Sequence, residues 1–112
     1  MQTGMTKDKG MRWLEMINIR TARVIEAARI IELCRQNFQS MAHEKLLKLT
    51  VYCSAMYTTD ISIHLQWNSD PGPESILGSE VSAALRDLGL ISHTLWIEQE
   101  EFSVGKISAE GI

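Results

Sequence analysis

Residues 61–68 read ISIHLQWN, two rows of side chains in strict alternation. Ile61, Ile63, Leu65 and Trp67 make one row; Ser62, His64, Gln66 and Asn68 make the other. His64 is the candidate catalytic residue of the chain. A neutral imidazole near pH 7 can take a proton from a substrate or orient a ligand. The competing reading is a histidine hydrogen-bonded within a subunit interface. Tyr52 and Trp96 offer aromatic rings on which a ligand can stack, and Asn18 and Gln66 offer amides to orient it. Aromatics packed between two subunits are the alternative for Tyr52 and Trp96. His43 and His93 read as surface residues. The three histidines share no metal-ligand spacing, and the run Glu98 to Glu101 is split by a strand between two faces, so no metal site is expected. There is no nucleophile motif, no phosphate-binding glycine loop and no zinc pattern.

These residues must be positioned by strands and helices. Residues 12–20 read as a first strand, with Trp13, Glu15, Ile17 and Ile19 on one face and Leu14, Met16 and Asn18 on the other. Thr21 offers an N-cap, and a helix is expected over 22–40. Its stripe is Val24, Ala27, Ala28, Ile31, Cys34, Phe38 and Met41, and Ile25, Ile30 and Leu33 widen it into a second contact surface. Strands follow at 46–56 and 61–67, joined by the turn residues Tyr57 to Asp60. Pro71-Gly72-Pro73 breaks the chain. A second helix is expected over 75–88, with the stripe Leu77, Val81, Ala84, Leu85 and Leu88. Gly89 suits a left-handed stop, with Leu90 folding back on Leu85. Residues 92–100 complete the pattern as a fourth strand.

The order β-α-β-β-α-β predicts a ferredoxin-like α+β fold, a four-stranded antiparallel sheet with both helices on one face. Each strand then sends its apolar row to the helices: Leu47, Leu49, Val51 and Cys53; Ile61, Ile63, Leu65 and Trp67; Leu95 and Ile97. The open face carries Thr50, Tyr52, Ser54, Ser62, His64, Gln66, Thr94, Trp96 and Glu98. Both rows of the first strand are apolar, so its orientation stays open; with Ile17 and Ile19 inward, Leu14, Met16 and Asn18 join the open face. Large apolar groups among hydroxyls, amides and an imidazole mark an interface or a ligand pocket.

The chain has 112 residues, a net charge of −3 and 22% charged residues. This suits one domain over 11–102, between a loose leader (1–10) and a polar tail (103–112). The acidic balance and scattered basic residues argue against a nucleic-acid partner. No run of about 18 apolar residues is present, so no membrane partner is expected. The leader lacks a signal core. Cys34 and Cys53 read as two buried thiols. A cytoplasmic protein is expected.

The element order, with Trp67 closing the third strand in LQWNS and a helix soon after, resembles the dimeric α/β-barrel superfamily in its antibiotic-biosynthesis-monooxygenase-like branch. The resemblance implies a homodimer packed sheet face to sheet face, and a cleft on each sheet for a small organic ligand. It also implies that Asn18 and Trp67 correspond to pocket residues of the heme-degrading branch. That branch takes a heme-ligating His from its second helix, and residues 74–88 contain none, so no cofactor is expected. Two functions follow. One is cofactor-free oxygenation or isomerisation of an acidic organic substrate. The other is a non-catalytic ligand-sensing or assembly module on the same fold.

Overall fold

The computed structural model describes residues 11–37, 44–72 and 76–105. Strand β1 runs Trp13–Arg20, helix α1 Val24–Asn37, β2 Leu46–Cys53, β3 Asp60–Trp67, α2 Ile76–Leu85 and β4 Leu90–Ile97. A 3-10 turn, Arg86–Leu88, joins α2 to β4. The strands form one sheet in the order β2-β3-β1-β4, every neighbouring pair antiparallel. This is the ferredoxin-like fold.

The period-two pattern of β3 decides the two faces. Ile61, Ile63, Leu65 and Trp67 are buried, while Ser62, His64 and Gln66 between them are not. Register then carries the same split into β1. Ile17 lies opposite Ile63 and Ile19 opposite Ile61, so Trp13, Glu15, Ile17 and Ile19 face the helices. Leu14, Met16 and Asn18 fall on the open face, opposite Gln66, His64 and Ser62. The core joins these β1 and β3 residues to Ala27, Ile30 and Cys34 of α1 and Val81 and Leu85 of α2. Burying an aliphatic side chain of this size stabilises by about 1.5–3 kcal/mol.

Several residues depart from expectation. A bulge between Leu46 and Lys48 slips the register of β2, so Leu46, not Leu47, packs on the core, and Leu47 is exposed. Cys53 lies in the helix-side row, yet it is exposed rather than buried, because β2 is an edge strand and the row ends there. Cys34 is buried, and burial pushes its thiol pKa up. Leu95 and Ile97 face the helix side on the other edge strand and keep about 40% of their surface exposed.

Helix α1 is rotated from the expected stripe. Ala27, Ile30 and Cys34 line up at i, i+3 and i+7 on the core side, with Ile31 and Leu33 beside them. Ile30 therefore serves the core rather than a second contact, and Val24, Ile25 and Ala28 face outward. Thr21 does not cap the helix. Its hydroxyl lies 2.8 Å from the Thr59 carbonyl and 3.0 Å from that of Arg23, with one proton to give, and its N–H donates to the Thr59 carbonyl, which pins the chain to the β2–β3 turn. In α2, Val81 and Leu85 are buried while Ala84 is exposed. Gly89 is extended, with φ 175°, so the left-handed stop is absent and Leu90 opens β4 instead of folding back. The glycine is needed for another reason: a Cβ there would stand 2.5 Å from the Arg20 carbonyl oxygen. Phe38, Met41 and His43, the leader and residues 106–112 lie outside the described residues.

Candidate functional site

On the open face, the central strands bring three polar side chains into one chain of hydrogen bonds. Asn18 of β1 lies directly across from Ser62 of β3. Ser62 Oγ–H donates to Asn18 Oδ1 at 2.5 Å, and His64 Nε2 is 3.0 Å from Ser62 Oγ. Ser62 and His64 share a face because they are two residues apart on one strand. The Tyr52 ring of β2 leans on the imidazole, centroids 4.7 Å apart and planes tilted by 55°. His64 has Met16 and Thr50 as its cross-strand neighbours. Partial burial lowers its pKa below the usual histidine value, which favours the neutral imidazole.

Two open clefts flank this cluster, and His64 lines neither. The first, about 510 Å³, is lined by Asn18, Tyr52, Ser54, Ser62 and Ser92. Arg20 and Asp60 stand at its rim, 3.5 Å apart as an ion pair. The second, about 520 Å³, is lined by Leu14, Gln66, Trp96, Glu98 and Phe102. The expected site residues thus separate. Asn18, Tyr52 and His64 gather at one end, while Gln66 and Trp96 belong to the other. Trp96 is exposed, and its indole N–H donates to Thr94 Oγ1 at 2.9 Å. Ser92, Arg20 and Asp60 were not expected at the first cleft. Only the pairing of β1 with β4 sets Ser92 beside Asn18.

A second polar cluster lies on the helix side. Glu15, in the otherwise apolar row of β1, is 1% exposed. Trp67 Nε1–H donates to Glu15 Oε1 at 3.1 Å, and His93 Nε2 lies 2.5 Å from Glu15 Oε2. His93 is therefore not a plain surface residue: it faces the helices, across the sheet from Ile17, and partners a buried carboxylate. Gly78 of α2 passes directly over this carboxylate, where a Cβ would stand 1.8 Å from Oε2. A lone Glu among Trp13, Ile17 and Ile19 was the one sequence signal of this arrangement. Among the described residues, no group of three His, Cys, Asp or Glu side chains is placed to hold a metal ion. No helix there is long and apolar enough to cross a membrane.

No protein-family model matches the chain, and no curated protein does. Solved structures do. A dimeric ferredoxin-like protein from an uncultured marine organism superposes with a TM-score of 0.66 at 12% identity, over 91% of this chain and 100% of that one. A monooxygenase of Streptomyces coelicolor, solved with nanaomycin D, gives 0.63 at 16% identity, over 88% and 95%. A cofactor-independent oxygenase of Streptomyces nogalater gives 0.55 at 11% identity, over 82% and 96%. At such identities the likeness is one of architecture. The chain has the ferredoxin-like fold on which these oxygenases are built.

Proposed function

We propose that the open sheet face binds a small, weakly acidic organic molecule, and that a second copy of the chain packs over that face and encloses it. The observation that carries this reading is the Asn18–Ser62–His64 chain beside a cleft of about 510 Å³. Few placed polar groups among aromatic and apolar walls are the usual lining of a ligand site. In this reading His64 is the general base, Asn18 and Tyr52 contact the same ligand, and Gln66 and Trp96 hold its far end or line the subunit boundary. A phenol or enol that gives its proton to a neutral imidazole becomes an electron-rich anion. Such an anion can react with dioxygen directly or shift its double bonds, so the protein's task is to bind, deprotonate and shield it. The oxygenases that share the fold are compatible with this chemistry.

Tryptophan fluorescence, reported by exposed Trp96, tests the reading with a panel of naphthols and hydroxynaphthoquinones. Binding should weaken about tenfold or more in His64→Ala, near 1.4 kcal/mol, with the melting temperature unchanged. Equal affinity in the variant, or no binding across the panel, overturns the assignment. Dioxygen uptake with the bound compounds separates catalysis from binding alone. The non-catalytic reading is favoured by a different observation: Tyr52, Leu90 and Trp96 are at least half exposed on this face, as an assembly surface requires.

A further inference from the structure

The proton count along the Asn18–Ser62–His64 chain carries one step more. A serine hydroxyl has a single proton to give and two lone pairs to receive. Ser62 and Asn18 are joined oxygen to oxygen at 2.5 Å. That separation belongs to an O–H···O bond and is short for an amide N–H donor. The Ser62 proton is therefore spent on Asn18 Oδ1. At 3.0 Å from His64 Nε2, Ser62 Oγ then has only lone pairs to offer, and Nε2 must be the donor. A neutral imidazole carries one N–H. We propose that Ser62 is a positioning residue: it fixes His64 as the Nε2–H tautomer and leaves Nδ1 as the nitrogen that accepts a proton.

The same count fixes the amide. With Oδ1 bonded to Ser62, the Asn18 NH2 is left free to donate elsewhere, and Asn18 lines the first cleft. A ligand hydroxyl that reaches past Ser62 to the imidazole would give its proton to Nδ1: the O–H bond breaks and the electron pair stays on the ligand oxygen as an oxyanion. The imidazolium so formed keeps its Nε2–H bond to Ser62. The residues next to His64 carry no charge: Met16 and Thr50 are its neighbours across the strands, and the ring against it is Tyr52; the Arg20 guanidinium at the rim of the first cleft is paired with Asp60. Lys48, opposite Gln66, is the nearest cationic residue on the same face of β2.

The use of this tautomer rests on the open face being a ligand site, but its test does not. Long-range proton–nitrogen NMR of the ligand-free protein, above the pKa of His64, reads the protonated nitrogen directly; His64→Gln assigns the signal. The wild type should show a protonated Nε2 and a bare Nδ1. Asn18→Asp should keep that pattern, because a carboxylate only accepts and still takes the serine proton. Ser62→Ala should give a mixture of tautomers, and Ser62→Thr should restore one. A wild type protonated at Nδ1, a reversal in Asn18→Asp, or a Ser62→Ala spectrum identical to wild type would each overturn the proposal. A correct tautomer with no binding across the naphthol panel would instead leave the tautomer standing and remove the ligand reading.

Discussion

Partial burial beside Tyr52, Met16 and Thr50 holds the His64 pKa below its ordinary value, and this has a measurable sign. Its native pKa lies below the unfolded value of about 6.5. Between the two values the unfolded chain holds more protons than the folded one, so stability rises with pH there. The contribution is fully present above about 6.5 and is lost as the pH falls toward the native value. Urea melts from about pH 7.5 down to 5 should show wild type losing more stability than His64→Gln. Parallel pH profiles for the two proteins would mean that His64 titrates as a free histidine. Comparing them as a difference removes the contributions of His43 and His93, which both proteins share.

Among the elements, α2 is held to the sheet by an unusual contact. Val81 and Leu85 pack on the core, but Gly78 sits over the buried Glu15 carboxylate, which Trp67 and His93 already hold. Removing a partner from a buried charge costs several kcal/mol, so Glu15 cannot swing away freely. Gly78→Ala should therefore destabilise by about 1–3 kcal/mol, as overpacking a filled site does. In an exposed helix the same change would stabilise by about 1 kcal/mol. A double-mutant cycle with Glu15→Ala isolates the clash: in that background Gly78→Ala should be neutral or stabilising. A cycle with no coupling would place the carboxylate away from the helix.

At the scale of the whole molecule, both helices pack on one side of the four-stranded sheet, and among the described residues no helix or second sheet covers the other side. Leu14, Met16, Tyr52 and Trp96 share that side. In the proposed homodimer a two-fold partner supplies the missing layer, and the same patch serves both copies. Interfaces of this kind bury about 2,000 Å² or more. Sedimentation at micromolar concentration should give a dimer for wild type and a monomer for Trp96→Lys, since an unpaired ammonium is costly to bury. A wild-type monomer would remove the second wall of the proposed ligand site.

The alternation of residues 61–67 by itself determined the two faces of β3, because a period of two leaves each side chain only one side of the sheet. The β-α-β-β-α-β order likewise determined the sheet topology, since few chain paths bury both helix stripes. The tertiary structure decided what local pattern leaves free. Both rows of β1 are apolar, and only its register against β3 turned Ile17 inward and Asn18 outward. The bulge after Leu46, invisible in composition, exchanged Leu46 for Leu47 on the core. Ser62 and His64 are two positions apart on one strand, but Ser62 meets Asn18, Trp67 meets Glu15, and His93 meets Glu15 by strand pairing across 44, 52 and 78 positions of chain. Period two along β3 sets Ser62 beside His64, but the bond from Ser62 to Asn18 depends on the distance between strands, which periodicity along one strand does not encode.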